Sequence, residues 1–273
     1  MRVARYVDAS RSVARRNRYR IGTVVGVFLL FVLALELSGI QAGRVLTEGY
    51  LDRVLRFGMP ITLAAIGGLY AEKSGVFNIG LEGFMIFGAV NAVAIASIVS
   101  GSGAGQQAHL WTGIVGAMLL STVYTVLFAV LLIRYKANQI VAGLAVWFLG
   151  LGFGPFTAVV IWGSQSSPPV GRISRFSVPG LSDIPYVGRL IFNTSPLVLL
   201  TLLLVGLSWY VLYYTRYGYW IQAAGENPEA LDTAGVSVNR VRYATVIFSG
   251  AMAGLGGARL GGGGTPGAGR GGP

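Results

Sequence analysis

The residues that could do chemistry lie in two polar stretches between long apolar runs. In the first stretch, Glu82 follows a glycine-rich segment that also contains Asn78, Gly80 and Gly83. The sequence places Glu82 about two turns inside a helix that starts near Val76, where an ionised carboxylate is costly unless it is paired, hydrated or faces a cavity. Such a group can hold a proton or a cation, or it can hydrogen-bond to neighbouring helices. The glycines are expected to loosen the helix and turn backbone groups toward a polar pathway.

The second polar stretch covers residues 216–242 and contains the signals of a short helix. Asn227 followed by Pro228 is typical of an N-cap and a first helical position, and Glu229 suits the positive end of a helix. Gly235 is a natural stop, so the sequence predicts about two helical turns. A helix this short is marginal alone and needs a packing surface from the loop or from another protein. An ordinary solvated connector is the alternative.

Enzyme-type sites have little support in this sequence. The chain has no cysteine, which excludes disulfides, thiolate metal sites and cysteine nucleophiles. The single histidine, His109, stands beside an apolar run without a partnered serine motif or a second metal ligand. We therefore predict no catalytic residues, no metal and no cofactor. The glycine-rich end lacks the Gly-Lys-Ser/Thr ending of a phosphate-binding loop.

The composition indicates that these stretches are held by a membrane-embedded scaffold. Of the 273 residues 53% are hydrophobic and 11% are charged, and the mean hydropathy is +0.64. The net charge is +11, but seven of the 21 basic residues fall within the first twenty positions, directly before an apolar run. That arrangement favours contact with anionic lipid headgroups over binding of nucleic acid.

Seven segments are long and apolar enough to approach the ~20 residues that a membrane-spanning helix needs. We therefore predict an all-α fold, a polytopic transmembrane helical bundle with about seven spans. The segments are residues 21–37, 54–70, 76–99, 110–133, 140–162, 196–214 and 243–260.

Basic residues segregate to one side of these spans, as the positive-inside rule requires. With a cytoplasmic N-terminus, thirteen Lys and Arg residues fall inside and six fall outside, and two more lie at the C-terminal end. The predicted organisation is a basic cytoplasmic segment (1–20), a transmembrane domain (21–260) with a cytoplasmic loop (216–242), and a disordered glycine-rich tail (261–273). The predicted location is the cell (plasma) membrane.

Three runs of the sequence resemble a known family. They are residues 74–83 (SGVFNIGLEG), residues 137–144 (ANQIVAGL) and residues 225–230 (GENPEA), the last followed by AGV at 234–236. Together they are similar to permeases for nucleosides and simple sugars, within the branched-chain amino acid permease superfamily of ABC importers. The similarity covers roughly residues 50–258.

This resemblance implies a permease without an ATP site of its own. Its implied partners are a second permease subunit, a cytoplasmic ATP-binding subunit, an extracytoplasmic solute-binding protein and membrane lipid. Residues Asn78, Gly80, Glu82, Gly83, Asn138 and Gln139 would lie beside the translocation path. The loop residues Gly225, Glu226, Asn227, Pro228, Glu229 and Gly235 would seat on the ATPase.

Two further expectations accompany the resemblance. Such permeases continue with further helices where this sequence becomes glycine-rich after residue 254, so a truncated or frameshifted end is expected. The alternative function is a secondary transporter that uses Glu82 for proton or ion coupling. That class needs no large cytoplasmic coupling loop, and the sequence shows no inverted repeat, so the ATP-driven function is favoured.

Overall fold

Long apolar runs of the sequence form long helices in the computed structural model of the chain. It describes residues 48–101, 105–164, 167, 170–171, 173–174, 176–177 and 193–261. The chain divides into two units, Met1–Arg53 and Val54–Pro273, and the described part of the first is the start of one helix. The predicted basic segment, the span at 21–37 and residues 262–273 of the predicted tail lie outside the described residues.

Six helices of 19 to 26 residues account for most of the described chain. At 1.5 Å per residue they are about 29–39 Å long, which suits a hydrocarbon core of about 30 Å. Five of them are also apolar enough to span a membrane, so the predicted all-α transmembrane bundle is confirmed. The six long helices are α1 (Glu48–Lys73), α2 (Leu81–Ser100), α3 (Gln106–Ala129), α4 (Gln139–Trp162), α5 (Pro196–Tyr214) and α8 (Val238–Gly261), of which α8 is the less apolar one.

Shorter elements connect these helices. One π-helical turn, Val130–Arg134, extends α3, and the helices α6 (Arg216–Glu226) and α7 (Pro228–Thr233) lie between α5 and α8. Two strands of two residues, β1 (Phe176–Ser177) and β2 (Asn193–Thr194), pair antiparallel between α4 and α5. Helix α8 ends at Gly261, where the predicted tail begins.

The predicted start of the second described span near Val76 is wrong. Helix α1 ends at Lys73 and α2 begins at Leu81, so residues 74–80 form a non-helical break. Two local causes act within the break. Gly75 adopts a left-handed backbone angle (φ 84°), which ends a helix at little cost for glycine. The side chain of Asn78 accepts a hydrogen bond from the Gly80 N–H, which competes with helical bonding.

Close contacts among α2, α3 and α8 form the centre of the bundle. A buried cluster there includes Phe84 on α2, Phe128 on α3 and Val246 on α8. The backbones of α2 and α8 approach so closely that a Cβ atom on Gly88 would collide with the backbone of Gly254. Small residues permit such approaches, which provide the packing that holds helices together in lipid.

Helix α1 packs on the other side of α8, and α4 packs on α2. Leu63 of α1 lies in one buried cluster with Met252 of α8, and a Cβ atom on Gly67 would meet the Ser249 backbone at 2.7 Å. Only 11% of the most apolar window of α4 is buried. Most of its surface is therefore available to lipid or to another subunit.

Candidate functional site

The break between α1 and α2 lies beside the middle of α8. Asn78, which is 7% exposed, donates a hydrogen bond from Nδ2 to the Ser249 hydroxyl (2.9 Å). Its Oδ1 accepts the Gly80 N–H (3.0 Å), so both ends of the amide are used. Non-helical backbone inside a membrane protein is tolerated where protein buries it or where it lines a cavity. Asn78 meets that requirement by tying the break to α8.

The start of the break is joined to α8 one turn closer to the α8 N-terminus. Thr245 donates its hydroxyl proton to the Ser74 Oγ (2.7 Å), and Ser74 in turn donates to the Ala71 carbonyl (2.7 Å). Both Ser74 and Thr245 are buried. Thr245 and Ser249 are four residues apart and therefore share one face of α8.

Arg242, three residues before Thr245, connects the break to the loop that follows α5. Its Nε donates to the Ser74 carbonyl (3.1 Å), and its Nη2 donates to the Ala224 carbonyl of α6 (3.0 Å). Hydrogen bonds from a charged donor are stronger than neutral ones. Arg242 thus holds the end of α1 and the end of α6 at a fixed separation.

Two glycines bring the backbones of these elements into direct contact. A Cβ atom on Gly225 would lie 3.1 Å from the Gly75 amide nitrogen and would collide with the Lys73 carbonyl. A Cβ atom on Gly75 would lie 3.2 Å from the Gly225 Cα. We call Gly75, Gly225 and Arg242 together the junction. It joins the two polar stretches of the sequence, which lie about 150 residues apart.

The predicted short helix of the loop is confirmed as α7. The Asn227 side chain caps it by accepting the Ala230 N–H (3.1 Å), and Gly235 follows with a left-handed φ of 81°. Part of its packing surface comes from this chain, because Leu231 is buried. Glu226, Asn227 and Glu229 are exposed and leave a polar surface for contact with another molecule.

The other predicted path residues meet at the start of α4. Gln139 accepts the Phe77 N–H through its Oε1 (2.7 Å), and Asn138 caps α4 by accepting the Ile140 and Val141 N–H groups. A Cβ atom on Gly80 would lie 3.2 Å from the Val146 side chain. The same addition to Gly83 would bring the Cβ atom 2.5 Å from the Val146 carbonyl oxygen.

Glu82 lies in the first turn of α2 rather than two turns inside a continuous helix. The reason for this correction is the break, which delays the start of α2 to Leu81. Glu82 is exposed, and it makes no hydrogen bond or ion pair with any residue that the structure describes. Its neighbour Gly83 packs against the second turn of α4.

The family of the chain follows from its match to known proteins. The family described as the permease component of branched-chain amino acid transport systems matches residues 50–261. This chain belongs to that family.

Several curated relatives of this chain are named as transporters of nucleosides or sugars. It is 36% identical to the guanosine ABC transporter permease protein NupQ of Bacillus subtilis, over 74% of this chain and 64% of NupQ. It is 32% identical to the nucleoside ABC transporter permease protein NupC of Lactococcus lactis, over 75% and 64% of the two chains. It is 27% identical to the glucose ABC transporter permease protein TsgB13 of Haloferax volcanii, over 85% and 62%.

The chain spans less than two thirds of the length of those relatives. No solved structure is significantly similar to it. Among the residues that the structure describes, no three His, Cys, Asp or Glu side chains come close enough to hold a metal ion.

Sequence reasoning missed four polar residues of the candidate site, namely Ser74, Arg242, Thr245 and Ser249. A signal for three of them was present in the sequence. Positions 242, 245 and 249 have the three- and four-residue spacing of one helical face, and the remainder of α8 is mostly small or apolar. A polar stripe on a membrane helix marks a face that another polar element must cover.

Proposed function

We propose that this chain is the membrane-spanning permease subunit of an ATP-driven importer for a nucleoside-like or simple-sugar solute. Its family and the names of its relatives support this function. A cytoplasmic ATP-binding subunit supplies the energy, a second permease subunit completes the pathway, and an extracytoplasmic binding protein delivers the solute. The subunit lies in the plasma membrane with its N-terminus in the cytoplasm.

The observation that carries this proposal is the junction between the loop and the helix break. An importer of this kind must transmit movement from a cytoplasmic ATPase to a pathway within the membrane. The exposed Glu226, Asn227 and Glu229 lie directly after the segment that Arg242 and Gly225 fix against residues 74–75. A displacement of α6 and α7 by the ATPase is thereby passed to the break.

The same geometry supports a pathway beside the break. Asn78, Gly80 and Gly83 stand between α8 and α4, and Asn138 and Gln139 begin α4 at the same end of the bundle. Glu82 adds an exposed carboxylate next to them. A non-helical break beside an unpaired carboxylate suits a route for solutes with several hydroxyl groups.

The test is purification of the complex with the Asn227→Ala/Glu229→Lys double variant. Loss of the cap destabilises α7 by roughly 0.5–2 kcal/mol, and the reversed charge opposes contact with the ATP-binding subunit. We expect less ATP-binding subunit to co-purify and solute-stimulated ATP hydrolysis to fall. Glu229→Gln separates the loss of the acidic charge from its reversal.

Asn239→Ala is the matched control, because Asn239 is exposed in the first turn of α8 and makes no side-chain hydrogen bond with the described residues. It should behave as wild type. Full assembly together with full solute-stimulated hydrolysis in the double variant would show that the loop is a connector.

A further inference from the structure

A cavity of about 580 Å³ lies between α5 and α6 on one side and α1 and α8 on the other. Its size falls within the roughly 300–1,000 Å³ of small-molecule sites. Its inner wall is formed by apolar and aromatic side chains, including Tyr70, Ile221 and Phe248. Ala244 and Tyr217 also line it and are exposed, so the cavity is accessible from the protein surface.

The charge at the edge of this cavity is positive. Arg240 lines it, is exposed, and makes no hydrogen bond or ion pair with the described residues. Arg216 lies beside two lining residues, Tyr217 and Trp220. Its guanidinium carbon is 5.1 Å from the centre of the Tyr217 ring and 5.8 Å from the centre of the Trp220 ring. Among the residues that the structure describes, no aspartate or glutamate lines it. The cavity is therefore suited to an anion that carries an apolar body.

Aromatic residues place this cavity at the edge of the membrane. Seven Tyr and Trp residues occur between positions 209 and 220, where α5 ends and α6 begins. Tyr and Trp concentrate at the level of the lipid headgroups, because their rings are apolar and their tips are polar. At that level an acyl chain can reach the apolar wall while the lipid phosphate stays near the arginines.

We propose that the cavity is a binding site for an anionic phospholipid. One acyl chain packs against Tyr70, Ile221 and Phe248, and the phosphate is held by Arg240, with Arg216 nearby. Basic pockets between membrane helices are suited to such headgroups. The proposal rests on the membrane-spanning fold and does not depend on the transported solute or on ATP coupling.

The test uses the full chain purified in detergent and native mass spectrometry with two lipids that share the same acyl chains. These lipids are 1-palmitoyl-2-oleoyl phosphatidylglycerol, which is anionic, and the corresponding phosphatidylcholine, which is zwitterionic. We expect the wild-type chain to retain phosphatidylglycerol several-fold better. Equal retention of the two lipids would overturn the proposal.

Two variants localise the binding to the cavity. Arg240→Ala should lower phosphatidylglycerol retention about five-fold, the factor that corresponds to about 1 kcal/mol for one basic residue at an anionic surface. Arg134→Ala is the matched control, because Arg134 is exposed at the end of the π-helical turn and does not line the cavity. An equal loss in both variants would show a general charge effect and refute the site.

A second pair of variants tests the apolar part. Ala244→Trp should fill the cavity and reduce retention of phosphatidylglycerol, whereas Ala145→Trp, at an exposed alanine of α4, should not. Each variant must elute as a single species with wild-type helix content. Displacement of the lipid by excess inorganic phosphate alone would assign the cavity to free phosphate and contradict the proposal.

Discussion

Glu82 combines three properties that are rarely found together in a membrane protein. It carries a carboxylate, it is exposed on a helix of the bundle, and it has no hydrogen-bonding partner among the described residues. A charge that faced lipid would cost several kcal/mol, and polar groups at such positions mark solute pathways or subunit contacts. We therefore expect Glu82 to face a hydrated cavity or a neighbouring subunit in the assembled transporter.

Glu82→Gln should reduce solute uptake by the assembled transporter while leaving membrane insertion intact. The substitution keeps the shape and removes the charge, and one charge-assisted hydrogen bond is worth about 1.5–3 kcal/mol, or about ten-fold or more in rate. Uptake is measured across a pH range beside Glu72→Gln, an exposed glutamate at the end of α1. Wild-type uptake by Glu82→Gln at every pH would indicate a purely structural carboxylate.

Single residues also show how far sequence reasoning extends. Asn78 was identified from its glycine-rich surroundings, but its bond to Ser249 joins positions 171 residues apart and depends on tertiary packing. A sequence pattern indicates that a polar group in lipid needs a partner without specifying which partner. The depth predicted for Glu82 within its helix was wrong for a local reason, since Gly75 and Asn78 break the helix before Leu81.

At the scale of elements, the junction connects the break to α6, because Arg242 donates hydrogen bonds to both. Three requirements coincide there, namely a left-handed Gly75, a Gly225 without room for a side chain, and a guanidinium with two carbonyl acceptors. Each requirement costs little free energy alone, and the three together fix the position of α6. The loop therefore has a defined orientation relative to the helices that it follows.

Arg242→Ala should loosen this attachment and lower the stability of the purified chain. Each lost hydrogen bond from the charged donor costs about 1.5–3 kcal/mol. The denaturant midpoint should fall, and hydrogen exchange in α6 should become faster. Arg242→Lys can reach only one carbonyl at a time, so its denaturant midpoint should lie between those of the wild type and Arg242→Ala.

Arg134→Ala removes an exposed arginine elsewhere and serves as the reference for this experiment. If Arg242→Ala and Arg134→Ala shift the midpoint equally, the two hydrogen bonds contribute nothing measurable to stability.

Local signals predicted elements better than boundaries. Helix α7 could be predicted because Asn227, Pro228 and Gly235 act within their own segment, and the structure confirms the cap and the stop. Helix α7 has six residues, so Glu229 lies in its first turn and Asp232 lies near its other end. The contact between Gly75 and Gly225 had no local signal, because it depends on how separate helices pack.

At the scale of the whole molecule, three connectors meet at one end of the bundle. The distribution of basic residues predicts that all three lie on the same side of the membrane. The 74–80 break bonds to Gln139 and lies against Gly225. At the opposite end, Trp162 donates to Ser97 (3.3 Å), and the Ser174 N–H donates to Gln107 (3.0 Å). The alternation of sides predicted for the described spans is thus consistent with the packing.

Single-cysteine labelling tests which end faces the cytoplasm, because the chain has no cysteine of its own. An impermeant maleimide should label Ser167→Cys in intact cells, and it should label Thr233→Cys only after the membrane is permeabilised. Both positions are exposed, and they belong to opposite predicted sides. Labelling of Thr233→Cys but not Ser167→Cys in intact cells would invert the predicted orientation.

The backbone contact between α2 and α8 at Gly88 and Gly254 has a mechanical consequence. Side chains that interdigitate can change rotamer and let helices slide, but two backbones in contact have no such freedom, and interiors packed this tightly transmit strain. Helices α2 and α8 are therefore expected to move as one rigid block during any conformational cycle. Helix α4 joins the same block through α2, because a Cβ atom on Gly83 would lie 2.5 Å from the Val146 carbonyl oxygen.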